Sequence, residues 1–284
     1  MDATALVAVI GCEAAAIAGS LLFFRRSRVD VPPIGVFGLD DAIAVGIFVA
    51  VMPFVYLALP YWLVASLFAL GGASLLQLAF AAMLPHRVVW PLVGALTATE
   101  VALLAWLGSR HGTFLTLNDC LLIVIVVGLA NLWAQSGMRA RDAVVLGAGV
   151  VVYDYLATLK ASLMLDLVDR LAGVTFAPRV AFAVHGAAIL SVGLGDLLFA
   201  SVFPLLMRRA YGQRAAIVSA TTAFAALAVM TAAADAGLAR VLPAMVVLWP
   251  LMLIQYSWWR RRGPERTTSA YLAAEPRRFD VTRA

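Results

Sequence analysis

Apolar residues run through this chain in long blocks, separated by short joints that are polar or marked by proline. A helix needs about 20 apolar residues to cross the hydrocarbon core of a bilayer. Nine blocks meet that need, roughly 3–24, 37–59, 61–84, 88–108, 114–135, 141–163, 180–206, 213–234 and 241–260. The second and third are parted only by Leu59-Pro60-Tyr61, where proline ends one helix and begins the next. The pattern predicts an all-α, polytopic membrane protein with about nine transmembrane helices. It forms one domain over 1–262, with a six-span part at 1–160 and a three-span part at 180–262. Beyond it, 263–284 is polar, basic and proline-containing, and is expected to be a disordered cytoplasmic tail or loosely held at anionic lipid.

One joint has a pattern of its own. Segment 161–178 carries Asp166, Asp169 and Arg170 among Leu163, Met164, Leu165, Leu167, Val168 and Leu171. That spacing fits an amphipathic helix lying in the outer interface, or a solvated loop with some hydrophobic cover.

Composition supports the membrane class. The chain is 63% hydrophobic and 13% charged, where a soluble domain is about half apolar and about a quarter charged. The formal net charge of +5 does not imply nucleic acid, because the basic residues fall at the ends of apolar blocks and no aromatic–basic interleaving is present. One side collects Arg25, Arg26, Arg28, Arg87, Arg139, Arg141, Arg208, Arg209, Arg214 and Arg260 to Arg262. The other has Arg110, Lys160, Arg170, Arg179 and Arg240. The positive-inside rule makes the first side cytoplasmic. The N-terminus is then outside and the C-terminus inside, which an odd number of spans requires. The start, Met1-Asp2 with no basic residue ahead of the apolar run, reads as an anchor rather than a cleavable signal peptide. Cys12 and Cys120 both lie in apolar blocks and are expected as buried free thiols. His86, His111 and His185 are scattered and form no ligand cluster, so no metal is expected.

Candidate chemistry comes from two acids inside spans. Asp154 lies in Val151-Val152-Tyr153-Asp154-Tyr155, and Asp196 in Gly193-Leu194-Gly195-Asp196-Leu197. A carboxylate at bilayer depth costs several kcal/mol or more and marks a functional position by default. Asp154 lies thirteen residues past Arg141, roughly 20 Å along a helix; Asp196 lies twelve before Arg208, roughly 18 Å. The two depths agree, and consecutive helices are usually neighbours. Two carboxylates in one layer can share a proton and activate water. Gly193 and Gly195 would let another backbone approach closely beside the second acid. The last span opens with Arg240-Val241-Leu242-Pro243-Ala244-Met245, a helix start where proline is favoured.

Tyr153-Asp154, Gly193-Leu194-Gly195-Asp196 and Pro243-Ala244, in that order on spans six, seven and nine, resemble the presenilin and signal peptide peptidase family of intramembrane aspartyl proteases. The resemblance covers most of the chain. It implies that Asp154 and Asp196 are the catalytic dyad and that no cofactor is needed. It implies substrate-binding roles for Tyr153, Gly193, Leu194, Gly195, Leu242, Pro243, Ala244 and Met245. Met245 stands third in the stretch where the family usually has Pro-Ala-Leu. The charge pattern, N-out and C-in, is similar to the signal peptide peptidase side of the family. Substrates would then be transmembrane helices or signal-peptide remnants with cytoplasmic N-termini. The short loops suggest a prokaryotic-type enzyme in the plasma membrane, without accessory subunits and with lipid as its surroundings.

Mechanistically, one acid would be ionised and take a proton from water while the other polarises the scissile carbonyl. A helical substrate must unwind first, and strand-like pairing with the enzyme could satisfy its freed backbone. Three other classes fit parts of the pattern: a proton-coupled transporter, a prepilin-peptidase-type enzyme, and a non-catalytic protein that binds membrane helices. Glu13 and Glu100 are expected in structural roles, and Gln77, Asn131 and Gln135 in bonds between helices. Tyr153 could donate a hydrogen bond near the dyad or simply pack. Trp62, Trp90, Trp258 and Trp259 near span ends read as interface anchors.

Overall fold

Apolar runs free of turn residues fold as helices because, in lipid, only the helix satisfies every backbone group within its own segment. A computed structural model describes residues 3–27, 29, 38–159, 161–184, 188–237, 244–267 and 270–271. The described chain is mostly helical. In order it forms α1 (Ala3–Arg26), α2 (Leu39–Ala58), α3 (Tyr61–Ala81), α4 (His86–Leu107), α5 (Gly112–Gln135), α6 (Ala140–Leu159), α7 (Ala161–Leu171), β1 (Arg179–Val184), β2 (Ala188–Gly193), α8 (Leu194–Tyr211), α9 (Gln213–Asp235) and α10 (Ala244–Arg260). Among the described residues, six helices are long and apolar enough to cross a membrane: α1 to α5 and α9. The other three that match apolar blocks are shorter or more charged. α6 carries Arg141, Asp142 and Asp154, α8 carries Asp196, Arg208 and Arg209, and α10 has 17 residues.

Pro60 separates two helices as expected: α2 ends at Ala58 and Pro60 caps the start of α3. Segment 161–171 is helical, and its described face is amphipathic, with Asp166 and Asp169 exposed and Leu171 buried. Leu171, Val174 and Ala177 pack on Val64, and the Arg170 guanidinium donates to the Leu59 carbonyl. The Tyr61 hydroxyl likewise donates to the Gly173 carbonyl. These contacts hold α7 against the α2–α3 corner.

The main departure from expectation is block seven. A helix over 180–206 was predicted. Instead β1 and β2 form an antiparallel pair, with Arg179 opposite Gly193 and Val184 opposite Ala188, and the helix begins only at Leu194. An apolar run of this length fits a buried hairpin as well as a helix. The strand form persists because neighbouring helices supply partners for its backbone. On the outer edge of β1, Asp119 of α5 accepts from the Ala181 N–H at 3.0 Å, and the Asn118 amide donates to the Arg179 carbonyl at 3.2 Å.

α5 and α8 form the centre. α8 is buried at every position over 197–210 and packs on α1, α5, α6, α9 and α10. α5 buries residues from Phe114 to Ala134 along its length, and α3 approaches it so closely that a Cβ on Gly128 would lie 2.5 Å from that of Ala79. By contrast α2, α3 and α4 leave most of their surface uncovered, including Phe48, Phe54, Trp62 and Trp90. Arg209 is buried and ties α8 to the end of α5 through the Ala134 and Gly137 carbonyls, at 2.6 and 2.9 Å.

Two smaller expectations change. Cys120 is exposed rather than buried, and Cys12 is half-buried; both are free. The tail does not begin loose: Glu265 accepts from the Ala140 N–H at 2.9 Å, Arg266 donates to the Arg208 and Ala210 carbonyls, and Tyr271 packs beside Phe24.

Candidate functional site

Three elements bring the motif residues together. α6 carries Asp154, α8 carries Asp196, and α10 opens with Ala244 and Met245; each of these helices packs on the other two. The Asp154 carboxylate accepts a hydrogen bond from the backbone N–H of Met245, and Asp196 lies within electrostatic reach of Asp154. Both acids are half-buried.

The local reason for each placement lies in the helix ends. Asp196 is not in mid-helix. Gly193 is the N-cap of α8, in extended conformation (φ −68°, ψ 145°), which puts Asp196 in the first turn. The Met245 amide belongs to the first turn of α10. The first four N–H groups of a helix have no partner within it, and their end of the helix carries partial positive charge. The pair of acids therefore faces two helix N-termini.

Packing sets the spacing of α6 and α10. A Cβ on Gly147 would lie 2.7 Å from the Trp249 ring and 3.6 Å from the Met245 methyl. The Trp249 indole donates to the Val144 carbonyl at 2.8 Å, so the ring is fixed against α6. The two motif glycines differ. A Cβ on Gly193 would lie 3.1 Å from an Asp196 carboxylate oxygen, whereas one on Gly195 would meet nothing within 4 Å. Gly195 is exposed, and Leu194 is half-buried.

Of the expected substrate-binding residues, Tyr153, Gly193, Leu194, Gly195, Ala244 and Met245 are described; all but Ala244 border the two acids in sequence or by contact, and Ala244 precedes Met245 at the start of α10. Leu242 and Pro243 lie outside the described residues, as does His185. Tyr153 is half-buried beside Asp154.

The hairpin leads straight into this site. Because the N–H of Ala181 and the carbonyl of Arg179 point toward α5, residues 179, 181 and their partners 193 and 191 turn their backbone groups away from the other strand. The N–H and carbonyl of Ser191 and the N–H of Gly193 thus face out from the edge of β2, while the Gly193 carbonyl, at the N-cap of α8, opens the hydrogen bonding of that helix. Ser191 is exposed. An open strand edge three residues ahead of Asp196 can receive an extended peptide.

Other polar residues in the spans serve the frame. Glu13 accepts from the Thr231 hydroxyl at 2.6 Å, joining α1 to α9. Glu100 of α4 accepts from the Phe176 N–H at 2.8 Å. Asn131 donates to the Ser20 carbonyl at 3.1 Å, and Gln135 bonds Ser27 and Val29, just past α1. Asn118 and Asp119, which hold the hairpin edge, are not singled out by any motif in the sequence. Asp119 carried the same signal as Asp154, an acid inside an apolar span, without a motif around it.

Compared with protein-family models, curated proteins and solved structures, the chain matches none.

Proposed function

We propose that this protein is an intramembrane aspartyl endopeptidase of the presenilin and signal peptide peptidase type, with Asp154 and Asp196 as its dyad. The observation that carries the proposal is the convergence of α6, α8 and α10, which sets the two carboxylates within mutual electrostatic reach and joins Asp154 to the Met245 amide. One carboxyl is protonated and one ionised, because neighbouring like charges do not both ionise easily. The ionised acid takes a proton from water, and the resulting hydroxyl attacks the scissile carbonyl. The protonated acid gives its proton to the carbonyl oxygen. The tetrahedral intermediate collapses as the C–N bond breaks, and the amine leaves with a proton returned from the dyad.

Substrates in this proposal are transmembrane helices or signal-peptide remnants. The free edge of β2 offers the N–H and carbonyl of Ser191 and the N–H of Gly193 to an unwound segment, which would lay its scissile bond beside Asp196. Nine crossings follow if α6, α10 and the unit of hairpin plus α8 each traverse the bilayer with the six apolar helices. The basic end is then cytoplasmic and the N-terminus outside.

The test is cleavage of a transmembrane peptide by purified protein in detergent. Asp154→Asn and Asp196→Asn are each expected to lose activity by about 10²–10⁴-fold, the usual worth of a general acid or base. Near-wild-type turnover in either variant would overturn the aspartyl mechanism. Proton-dependent uptake of a solute that both variants abolish, without any peptidase activity in the wild type, would favour a carrier instead.

A further inference from the structure

A cavity with basic residues around it lies at the opposite ends of the same helices. It has a volume of about 230 Å³ and is lined by Arg139, Arg141, Arg260, Tyr211, Tyr256 and Glu265, among others. Arg139 and Arg141 flank the start of α6, Tyr211 ends α8, Tyr256 and Arg260 end α10, and Glu265 follows in the tail.

The charges here are not matched. Three arginines line the cavity with one acid, Glu265, whose carboxylate accepts from the Ala140 N–H at the start of α6. Arg141 has only a 3.4 Å contact to Asp142 next to it. Arg260 rests over the Tyr256 ring at 6.0 Å. Among the described residues, neither the Arg139 nor the Arg260 guanidinium makes a hydrogen bond or ion pair. Their neighbours behave differently: Arg209 and Arg266 bond carbonyls, and Arg262 stacks on Trp258 at 3.7 Å. The Tyr211 hydroxyl is buried and has no partner, although it lines the cavity. A buried hydroxyl without a partner costs free energy unless something accepts from it.

From this we infer that the cavity is a binding site for a phosphate anion, in the form of an anionic phospholipid headgroup. Arginine forks match phosphate oxygens geometrically, and the tyrosine hydroxyl adds a donor. The volume is below the roughly 300–1,000 Å³ of sites for drug-sized ligands and suits a headgroup. Its depth is also right for lipid, because Trp258 and Trp259 immediately precede Arg260 and such aromatic residues settle at the headgroup level. Basic pockets between membrane helices take acidic headgroups for the same electrostatic reason. The inference does not depend on proteolysis.

The test uses delipidated full-length protein in a neutral detergent, titrated with short-chain phosphatidylglycerol, with phosphatidylcholine and with inorganic phosphate. Native mass spectrometry reads occupancy, and thermal melting reads stabilisation. Phosphatidylglycerol should bind about tenfold or more tightly than phosphatidylcholine. That preference should vanish in the double variant Arg139→Gln/Arg260→Gln, shrink in Tyr211→Phe, and persist in Arg262→Gln. Competition by millimolar inorganic phosphate would assign the site to the phosphate group itself; lipid binding without such competition would assign it to the whole headgroup. Equal binding of both lipids with no phosphate binding would overturn the inference, as would a folded double variant that binds like wild type.

Discussion

At the scale of single residues, the two motif glycines separate cleanly. Gly193 has backbone angles open to any residue, so a side chain there is limited only by space, and the space is occupied by the Asp196 carboxylate 3.1 Å from the added carbon. Gly193→Ala should therefore leave the melting temperature nearly unchanged and lower kcat on the order of tenfold, because a displacement of a few tenths of an ångström misaligns the dyad. Gly195→Ala meets nothing within 4 Å and should cleave a small substrate at close to the wild-type rate. Equal losses in both would mean that the motif acts through backbone flexibility rather than through room for the acid. A second contrast concerns Phe176, the one non-glycine residue among those described with positive φ, at 53°. Its N–H is held by Glu100, and its ring covers Gly72 so closely that a Cβ there would clash at 2.3 Å. Glu100→Leu removes the acceptor and should cost about 1–3 kcal/mol in unfolding experiments. Glu100→Gln keeps an acceptor oxygen and should cost clearly less. If the two variants melt together, that hydrogen bond contributes nothing to holding the strained residue.

At the scale of elements, the proposed activity puts the substrate at the edge of the hairpin. Proline at Ser191 would remove an N–H that points outward from β2 and takes no part in pairing with β1. Edge strands tolerate proline at such positions. Ser191→Pro should keep the fold, by circular dichroism and melting, and abolish cleavage of a helical transmembrane substrate. Unimpaired cleavage would show that substrates are not held at this edge. The same element marks the limit of what the sequence disclosed. α1 to α5 and α9 lie within a few residues of their apolar blocks, because in lipid a long apolar run has few alternatives to a helix. Both acids, and the order of the segments that carry them, were legible because a charge inside an apolar run stands out. The hairpin was not. Its residues are as apolar as a helix would be, and what makes strands tolerable there is the polar pair Asn118 and Asp119 on a different helix. That pairing is a tertiary fact, and hydropathy along one segment does not encode it. The start of α8 was placed well inside a longer helix for the same reason, so the position of Asp196 in a first turn came only with the structure.

At the scale of the whole molecule, the basic residues gather where helix ends meet. Arg208 lies over the Phe24 ring at 5.6 Å, Arg209 grips the end of α5, Arg266 bonds the end of α8, and Glu265 caps α6. The C-terminal ends of α1, α5, α8 and α10 and the start of α6 therefore share one face. The other face holds the α2–α3 corner, with Arg170 donating to Leu59 and Tyr61 to Gly173. Positive charge beside short loops stays in the cytoplasm, so the arginine-rich face should lie inside and the start of α1 outside. Labelling checks this directly. In a Cys12→Ser/Cys120→Ala background, a cysteine introduced at Asp2 should react with a membrane-impermeant maleimide on intact cells. One introduced at Gly263 should react only after permeabilisation. Both ends reacting from outside would require an even number of crossings and would force either the hairpin with α8, or one of α6 and α10, to stop short of traversing the bilayer. The reverse pattern would keep nine crossings and invert them, and the open edge of β2 would then receive substrates of the opposite orientation.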